Sequence, residues 1–339
     1  MIVTVTLNPS LDRTIEVASL VPGGVNRALR TRLDPGGKGV NVTRALLANG
    51  HPSRAVVPLG GPDGAELEAL LAAEHVDVVA VPVAGSTRSN VTVAEADGTV
   101  TKLNEPGANL TATELTTITA HVLEQSAPGD WVVLCGSLPP GVDDGEYAAM
   151  TTLLRSRGRH VAVDTSGAAL RHAVAAGPDL VKPNREELAE VVGRELSSMA
   201  EVLEAAHELH RRGVGHVLVS LGADGAVLVG GQGADDGDPR ATADLGAPDL
   251  VGSSTVADPR STVGAGDAFL AGYLSAICSS GATAPGDDGR SRALVTALAW
   301  GAAAVRLPGS VMPSPSDIDL SAARLLPSPD LQSPLSPAS

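Results

Sequence analysis

Residues 261–274 read Ser-Thr-Val-Gly-Ala-Gly-Asp-Ala-Phe-Leu-Ala-Gly-Tyr-Leu, a turn of small residues that runs directly into an apolar helix. Gly264, Ala265 and Gly266 carry almost no side chain, so an anion can approach their backbone N–H groups at the positive end of the helix dipole. Asp267 then stands in the first turn beside that anion as a proton acceptor. A lone Asp at this position also serves as an ordinary helix cap, so the meaning of the motif depends on the rest of the chain.

Working outward, short β-branched runs alternate with Ala/Leu-rich helical stretches. Strands are predicted at 2–7, 54–59, 131–135, 160–164, 179–182, 216–221 and 226–229. Helices are predicted near 40–49, 63–74, 112–125, 143–157, 185–193, 198–212, 265–279 and 291–305. This alternation predicts an α/β fold: a mostly parallel central sheet flanked by helices, with ligands at the carboxyl ends of its strands. Polar turns follow several of these strands, at Asn8-Pro9-Ser10, Gly136-Ser137, Lys182-Pro183-Asn184 and Ser220-Leu221-Gly222. Residues 12–34 and 86–104 carry extended patterns without intervening helices and are expected to form a small separate sheet. The stretch 230–258 is rich in Gly, Asp and Ala and reads as an acidic surface loop; Asp235, Asp236 and Asp238 lack the spacing of a calcium loop. From about residue 325 the chain repeats Pro and Ser and is expected to be disordered, leaving 1–324 as one domain.

Composition narrows the function classes. A net charge of −15 argues against nucleic acid or an anionic membrane surface as partner, since both need a basic footprint. Two cysteines, Cys135 and Cys278, fit a reduced cytoplasmic protein, and no run approaches the length of a membrane span. An anionic substrate must therefore meet cations placed locally. Only three lysines occur, Lys38, Lys102 and Lys182, and two of them lie in turns with chemical potential. Lys38 sits in a second glycine-rich turn, Pro35-Gly36-Gly37-Lys38-Gly39-Val40-Asn41, which opens a helix without the spacing of a P-loop. Its glycines admit a ligand to the backbone, its Lys suits phosphate, and Asn41 suits sugar hydroxyls. Neither glycine-rich turn has the Gly-x-Gly-x-x-Gly pattern of a dinucleotide-dependent dehydrogenase. Ser137 lacks the surroundings of a nucleophilic serine.

Residues 36–60 and 261–274 resemble, without a gap, the two diagnostic motifs of the PfkB carbohydrate kinases, which have the ribokinase-like fold with a small β-sheet lid. Further similar blocks follow in order, including Leu103-Asn104-Glu105-Pro106-Gly107, Gly136-Ser137-Leu138-Pro139, Lys182-Pro183-Asn184-Arg185-Glu186-Glu187 and Ser220-Leu221-Gly222-Ala223-Asp224-Gly225. Their wording is nearest to the branch that acts on phosphorylated ketohexoses. The resemblance implies transfer of phosphate from ATP, with Mg²⁺, to a small-molecule sugar phosphate. Fructose 1-phosphate is the expected acceptor, with tagatose 6-phosphate and fructose 6-phosphate as alternatives, and a non-catalytic sugar-phosphate sensor as the rival of another class.

The resemblance also implies roles. Asp267 is the general base, and the amides of Gly264, Ala265, Gly266 and Asp267 form the anion hole. Asp12, Gly36, Gly37, Asn41 and Ser137 bind the sugar, while Lys38, Arg88 and Arg27 hold the phosphate it already carries. Lys182, Asn184, Glu187, Ser220, Gly222 and Gly225 border ATP, and Glu187 meets Mg²⁺ through water. Segments 12–34 and 86–104 form the lid, through which the resemblance admits a homodimer.

Overall fold

The computed structural model describes residues 1–230, 248–279 and 287–336. The heart of the acidic stretch, 231–247 with Asp235, Asp236 and Asp238, lies outside the described residues, as do 337–339. The chain opens with β1 (Ile2–Thr6), passes through β2 (Ser10–Val17) and β3 (Arg30–Gly36), and enters α1 (Lys38–Ala48). Then come β4 (Ser53–Leu59), α2 (Gly61–Ala73), β5 (Val78–Pro82), β6 (Arg88–Glu95) and β7 (Val100–Asn104). Alternation resumes with α3 (Ala112–Gln125), β8 (Trp131–Cys135), α4 (Glu146–Ser156), β9 (His160–Asp164), α5 (Gly167–Ala175) and β10 (Leu180–Val181). The remainder is α6 (Arg185–Val192), α7 (Met199–Arg211), β11 (His216–Ser220), β12 (Ala226–Val229), β13 (Leu250–Ser254), α8 (Ala265–Ser279), α9 (Asp287–Val305) and β14 (Ala323–Leu325).

The period-two alternation of the strands divides the core. Val132 and Leu134 pack on one face of β8 with Ile118, Tyr147, Leu170 and Leu209 from α3, α4, α5 and α7. Trp131, Val133 and Cys135 pack on the other with Leu46, Phe269, Leu274 and Leu298 from α1, α8 and α9. With so few aromatic residues, Val, Leu and Ala fill both layers. Thus α1 and α8, which carry the two glycine-rich turns at their starts, lie side by side on one face.

The ten strands of the main sheet run in the order β14-β13-β12-β11-β10-β9-β8-β1-β4-β5. Neighbours from β5 through to β11 are parallel, and β12, β13 and β14 are added antiparallel. From β1 the chain first builds toward β5 and later returns to the opposite side at β8. The order therefore reverses at β1, and a crevice opens beyond the carboxyl ends of β1 and β8, the usual ligand position in such sheets. A second sheet, ordered β3-β2-β6-β7, stands over that end. Both sheets match the architecture the resemblance implied.

Boundaries differ where local patterns are weak. The strand expected at 179–182 shrinks to Leu180–Val181, and the helix expected from 40 starts at Lys38. The lid strands begin at Ser10 and end at Gly36, with residues 18–29 irregular between them. The Pro/Ser-rich end is laid against the body rather than free of it up to residue 336. Leu326 N–H donates to Val251 O at 2.8 Å, Leu335 N–H to Ser197 O at 2.9 Å, and Ser336 N–H to Asp224 at 2.8 Å. Proline lacks a donor but not an acceptor, and the residues between the prolines supply these bonds. Among the described residues no helix is long and apolar enough to cross a membrane.

Candidate active site

The start of α8 owes its shape to Gly264, whose φ of 77° lies in the left-handed region. A Cβ there would also stand 2.6 Å from Met312 Cε. Ala268 N–H donates to Gly264 O at 2.9 Å, and Ala265 N–H turns back to Thr262 O at 3.3 Å. The first-turn amides left without an intrahelical acceptor are those of Gly266 and Asp267. Asp267 is buried, 7 % exposed, and its Oδ2 accepts a hydrogen bond of 2.9 Å from Asn41 Nδ2 on α1. Burial, and secondarily the neighbouring Asp164, push its carboxyl up to about 6 against the pull of Lys38, Asn41 and Lys182. A carboxylate tuned to this range suits proton abstraction near neutral pH.

Asp164, at the carboxyl end of β9, is fully buried and was not singled out from the sequence. Lys38 Nζ donates to its Oδ1 at 2.8 Å, and Lys182 Nζ pairs with its Oδ2 at 3.3 Å. Burial alone would raise the Asp164 carboxyl, but the two lysines together hold it below the usual range. Lys38 also lies 3.8 Å from Glu187 Oε1. Desolvation favours its neutral amine, yet attraction from Asp164, Glu187 and Asp267 outweighs it and moves the ammonium upward. The Lys182 ammonium is 3.5 Å from where a Cβ on Gly266 would stand, so it flanks the open amides of α8. Two cations, one helix start and one buried carboxyl thus converge at the crevice.

Across the crevice, Asp12 on β2 accepts bonds from Ser10 Oγ at 2.7 Å and Asn90 Nδ2 at 3.0 Å. Gly36 must be small because a Cβ there would fall 2.5 Å from the Asp12 carboxyl. The Arg88 guanidinium is tethered to Glu105 O at 3.2 Å and Asn8 O at 3.1 Å. Arg88 Nε and Asn90 Oδ1 are buried without a hydrogen-bond partner among the described residues, one donor and one acceptor left unpaired on this side. Asn8 Nδ2 reaches Ser137 Oγ at 3.4 Å, which brings Ser137 to this group. Asn8 and Asn90 were missed as site residues, though Asn8 was visible in the polar turn after β1.

Other expected site residues have partners of their own. Lys38 pairs with Asp164 and Glu187, and Arg88 with the carbonyls of Asn8 and Glu105. Arg27 is exposed in the irregular segment between β2 and β3, without a hydrogen bond among the described residues. Asn184 and Glu187 form a reciprocal cap on α6: Glu187 N–H donates to Asn184 Oδ1 at 2.8 Å, and Asn184 N–H to Glu187 Oε2 at 2.9 Å. That leaves Glu187 Oε1 facing Lys38. Ser220 bridges Asn184 through the backbone. Gly222 starts the short turn after β11 with a φ of 57°. Gly225 has a packing reason for its size, because a Cβ would stand 2.1 Å from Gly252 O on β13.

The donors also fit the implied Mg²⁺. Asp164 Oδ2, paired with Lys182 at 3.3 Å but without an aligned hydrogen bond among the described residues, and Glu187 Oε1 beside Lys38 are the hard oxygens that would hold it. One or two carboxylates suffice for this ion when phosphate oxygens complete its shell.

Comparison with known proteins covers nearly the whole chain. The model of the family described as pfkB family carbohydrate kinase matches residues 5–317. The 1-phosphofructokinase of Rhodobacter capsulatus is 41% identical over 303 residues, covering 89% of this chain and 90% of the relative. The ATP-dependent 6-phosphofructokinase isozyme 2 of Escherichia coli is 39% identical over 231 residues, 67% of this chain and 74% of the relative. The solved tetrameric inhibited form of phosphofructokinase-2 from Escherichia coli superposes with a TM-score of 0.80 at 33% identity, covering 91% of this chain and 95% of that one.

Proposed function

The chain belongs to the pfkB family of carbohydrate kinases, and from that premise we propose that it transfers the γ-phosphoryl group of ATP to fructose 1-phosphate, giving fructose 1,6-bisphosphate and ADP. The observation that carries the reading is the buried Asp267, held by Asn41 at the open start of α8 and flanked by Lys182. In this reading Asp267 takes the proton of the C6 hydroxyl as that oxygen bonds to phosphorus and the bond to the ADP oxygen breaks. The amides of Gly266 and Asp267, with Lys38 and Lys182, stabilise the negative charge on the group in transit. Asp164 and Glu187 would hold Mg²⁺, which would supply neutralising charge to the nucleotide phosphates.

Asp12, Asn90, Asn8 and Ser137 supply the hydrogen-bonding groups for the sugar, and Arg88 the cation for its phosphate. Fructose 1-phosphate is put ahead of fructose 6-phosphate and tagatose 6-phosphate because the Rhodobacter 1-phosphofructokinase aligns in sequence over a longer stretch at slightly higher identity, 41% over 303 residues against 39% over 231 for the Escherichia 6-phosphofructokinase isozyme. The lid exposes Val100 and Leu103 on β7 and Val21, Val25 and Leu29 between β2 and β3. Such a surface favours a second copy through the lid, which would cover the crevice and exclude water. Two free thiols support a cytoplasmic setting.

The test is ADP release by the purified protein with Mg²⁺-ATP. It is expected to require fructose 1-phosphate and to yield the bisphosphate. Binding of the sugar phosphate without turnover would instead support a sensor.

A further inference from the structure

Asn41 can orient Asp267 only if its own amide faces the right way. An amide reversed about its last bond would present oxygen to the carboxylate, replacing attraction by repulsion. The structure contains a device against this reversal. Arg44 NH1 lies 3.2 Å from Asn41 Oδ1 and 3.0 Å from Ser310 O. A guanidinium only donates, so the atom of Asn41 that faces it must be the oxygen, and Nδ2 is left for Asp267. Positions 41 and 44 share a face of α1 by helical spacing.

Arg44 is itself fixed. It is 8 % exposed, and Nε and NH2 form a fork onto Glu74 at 2.6 and 2.9 Å. Ser310 lies two residues from Met312, the residue against Gly264. One guanidinium therefore ties together the Asn41 amide, the loop behind the start of α8, and Glu74 at the end of α2.

We propose that Arg44 is a positioning residue for phosphoryl transfer: it locks the Asn41 amide so that Asp267 Oδ2 is held and Oδ1 is left for the attacking hydroxyl. The proposal rests on the reading of Asp267 as general base. The charged and titratable groups that face Asp267 are Lys38 on α1, Asp164 at the end of β9, Lys182 beyond β10 and the buried thiol of Cys135 at the end of β8. Substitution at 44 leaves all of them in place. Loss of the Asn41 bond removes a donor to the charged carboxylate, so the acid limb of kcat moves to higher pH.

The experiment measures kcat, both KM values and the pH profile of kcat with ATP and fructose 1-phosphate. The variants are Arg44→Met, Arg44→Lys, Asn41→Leu and the double variant Asn41→Leu/Arg44→Met. Arg44→Met is expected to lower kcat about 10-fold, change each KM less than about threefold, and raise the acid limb by about one pH unit, the size of one charge-assisted hydrogen bond. Arg44→Lys, which keeps a donor, recovers at least half of the logarithmic loss. In the Asn41→Leu background Arg44→Met adds less than about twofold, because the path through the amide is already gone. A lowered kcat with an unmoved acid limb overturns the proposal, as does a loss in the double variant equal to the product of the single losses. Should Arg44→Met fail to fold, Arg44→Gln is read by the same two criteria. Near-normal turnover in Asp267→Asn would sink the base reading itself; its failure to turn over, beside Arg44 variants with a fixed limb, sinks only the role of Arg44.

Discussion

Replacing Asp267 by Asn tests chemistry and stability at once. The folded carboxyl sits at about 6 against an ordinary value of 3.8, chiefly because burial disfavours its charge. A gap of roughly two units corresponds to about 3 kcal/mol. The sign follows from proton binding: between about pH 4 and 6 the folded chain holds a proton that the unfolded chain has released, so stability falls as pH rises through that window. Above it, the native enzyme carries the full cost of a buried charge. Asn has nearly the same shape and no charge, so Asp267→Asn is expected to be more stable than the native chain at pH 8 by about 1–3 kcal/mol, and nearly equal at pH 4. Thermal unfolding at the two pH values reads this as a rise in Tm of a few degrees at pH 8 only. Turnover moves the other way: kcat at pH 7.5 should fall about 10²- to 10⁴-fold, the usual contribution of a general base. A kcat within tenfold of the native value would remove Asp267 as the base, and a Tm several degrees lower at pH 8 would remove the cost assigned to its buried charge.

Two further substitutions probe the cations. Lys38→Met strips one of two partners from buried Asp164 and the only facing cation from Glu187 among the described residues; with Lys182 retained and Lys38 partly exposed, a cost of about 1–3 kcal/mol in chemical denaturation is expected. Because Lys38 pairs with Asp164 and Glu187 close to Asp267, the same variant should lower kcat far more than it raises the KM for fructose 1-phosphate, a split that steady-state kinetics reads directly. Arg88→Gln should do the reverse, raising the sugar-phosphate KM at least about 10-fold while the KM for ATP holds, as expected for loss of a charge-assisted bond to phosphate. Equal effects on both substrates would remove Arg88 from the sugar side.

Much of the fold was legible because its interior strands read as continuous apolar runs: Trp131–Cys135 was expected with both ends correct, as was His160–Asp164. What escaped lacked a local signature. β5 is a half-buried edge strand, and β14 is three residues in a Pro-rich stretch, paired only because β13 is beside it. α5 is short and begins at Gly167, whose φ of 64° lies in the left-handed region, so its start looks like a turn. At the site, Asp267 and Asn41 were each visible in a glycine-rich turn, but their bond spans 226 positions and depends on α1 and α8 sharing a face. Asp164 was hidden because an Asp closing a strand looks ordinary; sheet order, not sequence, brings it to Lys38 and Lys182. For the same reason the direction of Lys38 could not be read from its turn. Arg44 was likewise silent, since an Arg within a helix is usually solvated, and only the meeting of Glu74, Asn41 and Ser310 around it gives it a task.

In the proposed function the crevice at the start of α8 transfers phosphate to a phosphorylated ketohexose, fructose 1-phosphate before all others. Its most direct test is kcat/KM of the purified protein, at saturating Mg²⁺-ATP, for fructose 1-phosphate, fructose 6-phosphate and tagatose 6-phosphate under identical conditions. The highest value is expected for fructose 1-phosphate by at least about tenfold, a margin of about 1.4 kcal/mol in transition-state binding. A higher value for fructose 6-phosphate or tagatose 6-phosphate would contradict it.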